Sequence, residues 1–247
     1  MGQPTDDWDL YRQHPTVGHF LGWLLSLIKR MGMIALLFIL IQLPPEAMVI
    51  LKHQPRLNGT AIVTIGCFIL IFIGIILWAK KIWQQNNRTA KRSLSTGKSI
   101  GYVVWGYVAI YAGQIALGTL NIMLYHQTQT ANNNEVSKIM ANNMMVMVVF
   151  GLSTVLLTPI AEELIFRGVL TNLFFKPNQF WPKLVLSGFV FSIGHMSTTV
   201  ISFLIYFYMG MVLAFLYQKT GQLKLSIALH GLNNLIAISQ MIMILMR

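Results

Sequence analysis

Seven acidic residues occur in the chain, and three of them, Asp6, Asp7 and Asp9, fall within its first ten positions. Of the other four, Glu162 and Glu163 stand side by side at the end of the apolar run that begins at Met144, with Arg167 just beyond. A carboxylate at membrane depth costs several kcal/mol unless it is paired or wetted, so it marks a functional site by default. Later apolar segments carry His195, His230, Asn233 and Asn234. A spare carboxylate, two imidazoles and an amide, with almost no other polarity at depth, are the parts of a general acid–base site. Other chemistries lack their parts. The aspartates are too early for an intramembrane dyad, and there is no Gly-x-Ser-x-Gly elbow, His-Glu-x-x-His pair or phosphate-cradling glycine loop. The single cysteine, Cys67, sits in an apolar run without a partner base.

Helical spacing divides the tasks. Neighbours on a helix point about 100° apart, so Glu162 and Glu163 face different ways. Glu163 and Arg167 are four apart with the acid first, the favourable order for an ion pair along one face. That pair reads as structural, each charge making the other tolerable, and Glu162 is left to face a wet cavity. Pro159 removes a backbone donor three residues earlier and predicts a bend there. His230 and Asn234 project together, with Asn233 rotated away. The plainer readings are interhelical hydrogen bonding for each histidine and packing for the asparagines. Phe191, Tyr206, Phe207 and Tyr208 read as lipid- or helix-facing bulk.

The elements that must hold these groups are membrane helices. The 247 residues are 55% hydrophobic and 10% charged, whereas soluble domains carry charges at about 25%. Continuous apolar runs, with no alternation of every second residue, point to an all-α polytopic membrane protein of about seven to eight transmembrane helices. Spans are expected over roughly 31–51 (broken at Pro44-Pro45), 61–79, 100–125, 144–166, 184–199, 200–217 and 225–246, with an Asn-rich loop at Asn132–Asn134. Residues 1–30 read as a cytoplasmic or interfacial segment, 31–143 as a first set of helices, and 144–247 as the part that carries the chemistry. With seven crossings and a cytoplasmic N-terminus, fourteen Lys and Arg lie inside and four outside, as the positive-inside rule asks. The net charge of +11 therefore reports topology, and no nucleic-acid partner is expected. In this topology the polar groups near the inner ends of the helices converge on a pocket opening inward.

Three motifs stand in order: Glu162-Glu163-x-x-x-Arg167, Phe191-x-x-x-His195 and His230-x-x-x-Asn234. Over about 144–247 the chain resembles the CAAX-protease and bacteriocin-processing (CPBP, or Abi) family of intramembrane proteases. The resemblance implies an intramembrane cavity open to the cytoplasm and a hydrolase that cuts near that face. Glu162 would be the general base on a water that His195 also holds. His230 and Asn234 would stabilise the oxyanion, and Glu163 with Arg167 would hold the helix end. A zinc ion on Glu162, His195 and His230 is the alternative. It leaves only Glu163 as a base, so the metal-free reading is favoured and no cofactor is expected.

The expected partners are a peptide or membrane-protein substrate and the lipid bilayer, in a bacterial cell membrane. The alternative function is bacteriocin self-immunity, by binding a toxin or its receptor, with or without the same motifs. A transporter with Glu162 as proton carrier is weaker, because no inverted repeat is visible.

Overall fold

The computed structural model describes residues 16–54 and 56–246. Asp6, Asp7, Asp9, Arg12 and Arg247 lie outside the described residues. Among the described residues, six helices are long and apolar enough to cross a membrane, and a shorter apolar helix spans Phe180–Ile193. The protein is all-α and polytopic. Its helices are α1 (Val17–Lys52), α2 (Gly59–Asn86), α3 (Thr96–Tyr125), α4 (Ala131–Met140) and α5 (Met144–Glu163). After α5 come a π-helical segment (Leu164–Leu170), α6 (Thr171–Phe174), α7 (Phe180–Ile193), α8 (Val200–Thr220) and α9 (Leu223–Leu245).

Side-chain spacing explains the packing of the first pair. α1 buries Ile34, Leu37, Ile41, Pro44, Met48 and Leu51, and α2 buries Phe68, Phe72, Ile75, Ala79 and Ile82. Both seams alternate steps of three and four, the repeat that keeps two helices in contact along a shared stripe. The opposite faces carry exposed apolar side chains such as Ile39, Leu43, Leu70 and Leu77, as lipid contact requires.

Three local expectations are corrected. α1 continues through Pro44-Pro45 without a break, since prolines are tolerated in membrane helices whose neighbours compensate the lost donors. It also starts at Val17, so residues 17–30, expected to precede the first span, are continuous with it in one helix. The Asn-rich stretch is not a loop. Thr130 accepts a hydrogen bond from the Asn133 backbone and caps α4, which makes Asn132–Asn134 its first turn.

Hydrogen bonds between loops sort the helix ends into two groups. At one end, Arg30 Nη1 donates to the Leu173 carbonyl (3.0 Å) and the Arg88 N–H to Asn172 Oδ1 (3.1 Å). There too the Arg92 N–H donates to the Thr220 carbonyl (2.9 Å), and Gln222 Nε2 to the Arg92 carbonyl (2.8 Å). The basic cluster from Lys80 to Lys98 thus gathers with Lys176, Lys219 and Lys224. At the other end, Asn143 Nδ2 donates to the Lys52 carbonyl (3.2 Å), the Asn132 N–H to the Met196 carbonyl (3.1 Å), and Thr199 Oγ1 to Asn121 Oδ1 (2.7 Å). Glu46 and Glu135 belong to this second end. The six long helices and the shorter α7 alternate in direction between the two ends along the chain.

Candidate active site

Glycine at two crossings brings the site's helices together. α7 and α8 cross where Gly188 meets Gly210, and a Cβ on Gly210 would stand 2.8 Å from Gly188 Cα. Small residues at such a crossing let the backbones touch. On α5, Pro159 has no N–H for the carbonyl four residues before it, that of Val155. α9 approaches that carbonyl through Gly231, where a Cβ would lie 3.0 Å from Val155 O. This close approach sets His230 and Asn234 beside Glu162.

The two glutamates diverge as their spacing predicts. Glu163 and Arg167 are both fully buried, with Nη1 2.9 Å from Oε1. Arg167 Nη2 also donates to the Gly210 carbonyl (3.0 Å), and its guanidinium lies 4.5 Å from the centre of the Phe191 ring. Glu162 instead lines a cavity of about 500 Å³ together with His195, His230 and Asn234. Its Oε2 has no hydrogen-bond partner and lies 3.8 Å from His230 Nε2. The four residues singled out in the sequence therefore share one cavity.

Other features were not visible in the sequence. Glu163 does more than pair with Arg167: its Oε1 accepts from His230 Nδ1 (2.9 Å) and its Oε2 from Ser226 Oγ (2.5 Å). An ionised carboxylate only accepts, so the proton sits on His230 Nδ1 and Nε2 is the ring atom turned to Glu162. Ser226 precedes His230 by one helical turn, which was the one available hint. His195 lies just past the end of α7, not within a helix, and its Nδ1 donates to the Phe191 carbonyl (2.8 Å). That bond leaves Nε2 as the acceptor in the neutral ring.

Tyr206 is buried, on the helix-facing side of its expectation, and is more than bulk. It stacks on His195 with ring centroids 4.5 Å apart, while its hydroxyl bonds Thr130 Oγ1 (2.7 Å) and Asn133 Oδ1 (3.3 Å). Asn233 is not turned away, for it lines the cavity and accepts from Gln114 Nε2 (3.2 Å). Asn234 Nδ2 donates to the Thr154 carbonyl (2.9 Å), which leaves its second N–H available. The helix beyond Glu163 becomes π-helical over Leu164–Leu170, every residue of it buried. Thr171 Oγ1 and Asn172 Nδ2 reach back to the Arg167 and Gly168 carbonyls, each at 2.6 Å, and so satisfy acceptors buried away from water.

The direction of the cavity departs from expectation. Its lining runs from Glu162 and His230 to Thr128, Gln129, Thr130 and Asn132, at the end of the bundle opposite the basic loops. Toward the basic end it is closed by buried Glu163, Phe166, Arg167 and Ser226. A cytoplasmic N-terminus with basic loops inside, and a cavity open to the cytoplasm, exclude each other in this structure.

The zinc alternative needs Glu162, His195 and His230 within reach of one ion. Among the described residues, no group of three His, Cys, Asp or Glu side chains is close enough to hold a metal ion. His195 and His230 each donate Nδ1–H to a carbonyl or carboxylate, so each would meet an ion through Nε2.

Comparison with known proteins agrees with the motif resemblance. Residues 144–236 match the family model described as type II CAAX prenyl endopeptidase Rce1-like. All three motifs fall inside that region. The chain is also 24% identical over 184 residues to "Putative membrane peptidase YdiL" of Bacillus subtilis (strain 168), covering 73% of this chain and 72% of that protein. No solved structure gives a significant match.

Proposed function

We propose that the protein is an intramembrane endopeptidase in which Glu162 activates water against a peptide bond. The observation that carries this reading is the buried, unpartnered Glu162 Oε2, 3.8 Å from His230 Nε2, in a cavity shared with His195 and Asn234. A buried carboxylate oxygen without a partner costs free energy, and a reaction that uses it accounts for its retention.

The chemistry follows from the tautomers. Water donates one hydrogen to Glu162 and the other to the free Nε2 of His195. As Glu162 takes the first proton, the water oxygen attacks the carbonyl carbon and the carbonyl becomes an oxyanion. Asn234 offers its second N–H to that oxygen. His230 Nε2 can donate to it as well when the proton that Glu162 took passes on to that nitrogen, 3.8 Å away, and Glu163, 2.9 Å from Nδ1, balances the charge of the ring until the proton returns to Glu162. The tetrahedral intermediate then collapses: the C–N bond breaks, and Glu162 returns its proton to the leaving amine. No step needs a metal. Glu163 and Ser226 act through His230, as positioning residues.

The test compares wild type with Glu162→Gln in a bacterial host at equal membrane abundance, by sequencing newly formed protein termini. Termini that vanish with Glu162→Gln support the endopeptidase. An unchanged set of termini sinks it. A host protected equally against a bacteriocin by wild type and Glu162→Ala would favour immunity by binding instead.

A further inference from the structure

We infer that the catalytic cavity opens on the non-cytoplasmic face of the membrane and accepts the exported, extended segment of a secreted or membrane-anchored polypeptide. The substrate half of this inference rests on the endopeptidase reading; the orientation half does not.

Charge sets the orientation. The end of the bundle joined by the Arg30–Leu173, Arg88–Asn172 and Arg92–Thr220 bonds holds Lys80, Lys81, Lys91, Lys98, Lys176 and Lys219. Among the described residues, no acid stands at that end. The opposite end has Lys52, Arg56 and Lys138, with Glu46 and Glu135 beside them, and Glu135 is paired to Lys138 at 2.6 Å. Short loops rich in Lys and Arg stay cytoplasmic, so the sparsely charged end faces away from the cytoplasm. The cavity rim, Thr128 to Asn133, is part of that end.

The route from the cytoplasm is blocked by side chains that cannot part cheaply. Arg167 is wedged between Glu163, the Gly210 carbonyl and the Phe191 ring. Behind it, Trp83 Nε1 donates to the Tyr217 hydroxyl (3.1 Å). A lipid-modified C-terminus on the cytoplasmic surface would approach the closed end of the protein.

The lining indicates what enters from the other side. Between rim and floor stand neutral amides, among them Gln42, Gln114, Asn132, Asn233 and Gln240, and Glu162 is the one carboxylate. Amides both donate and accept, which matches the alternating N–H and C=O of an extended backbone. A volume of about 500 Å³ is that of a small-ligand pocket, room for a few residues of chain and not for a folded domain.

The orientation is tested with single cysteines in a Cys67→Ser background, labelled by a membrane-impermeant maleimide on intact cells and again after permeabilisation. Gln129→Cys at the rim and Thr154→Cys inside the cavity should label in intact cells. Ser93→Cys in the basic loop should label only after permeabilisation. The reverse pattern overturns the orientation, and an unlabelled Thr154→Cys beside a labelled Gln129→Cys overturns the mouth. For the substrate, Glu162-dependent termini should fall in exported segments; termini confined to cytoplasmic segments overturn it. Labelling as expected without any Glu162-dependent terminus removes the substrate half together with the endopeptidase reading, and leaves the orientation standing.

Discussion

Glu163 Oε1 lies 2.9 Å from His230 Nδ1, a contact between residues 67 positions apart that joins the buried ion pair to the cavity. The same carboxylate neutralises Arg167 and fixes which nitrogen of His230 faces Glu162. Support and chemistry therefore meet in one side chain.

Glu163→Gln should lose abundance and activity together. Breaking a buried pair by removing one partner costs about 3–5 kcal/mol, which should appear as a clear fall in unfolding temperature in detergent. An unchanged unfolding temperature would contradict the contact.

Glu162→Gln should behave differently. Its Oε2 holds no hydrogen bond, so folding should be kept, while loss of a general base lowers the rate by about 10²–10⁴-fold. Single-turnover cleavage at matched abundance measures this, and a variant that still cuts would assign the base elsewhere.

Tyr206 separates ring from hydroxyl. Tyr206→Phe keeps the stack on His195 and loses the bonds to Thr130 and Asn133, so about 0.5–1.5 kcal/mol of stability should go with most of the activity kept. Tyr206→Ala should free the imidazole and depress the rate further. Equal rates for the two variants would show that the stack does not position His195.

At Gly231 even a Cβ would press to 3.0 Å from the Val155 backbone oxygen, so one of the two helices must give. Gly231→Leu should push α9 from α5 and lower activity before it lowers helix content. Full activity in that variant would remove the close approach from the account.

Metal chelation offers a separate check. Cleavage by the purified protein should be unaffected by 1,10-phenanthroline, since no described trio of donors is gathered. Inhibition reversed by added zinc would restore the alternative on Glu162, His195 and His230.

Much of the site was legible in the chain because its logic is local. The i,i+4 spacing of Glu163 and Arg167 foretold the pair, and the 100° step foretold that Glu162 would part from it. Contacts across helices were not legible. Ser226 and His230 reach Glu163 only through the rotation of α9, which the Gly231 approach determines. Tyr206 looked like one aromatic among several until the loop carrying Thr130 folded over it. Which end of the cavity is plugged was not legible either, because motif positions give depth along a helix, whereas the plug depends on how Phe166 and Arg167 pack.

The π-helical turns after Glu163 make this region sensitive to length as well as to residue type. A residue removed between Leu164 and Leu170 would change the rotation of everything downstream unless the wide turns tightened to absorb it. Without that tightening, Arg167, Thr171 and Asn172 would swing off their acceptors with no change in composition. Relatives that keep these residues but differ by one insertion or deletion here should be unable to form the same lock without such an adjustment.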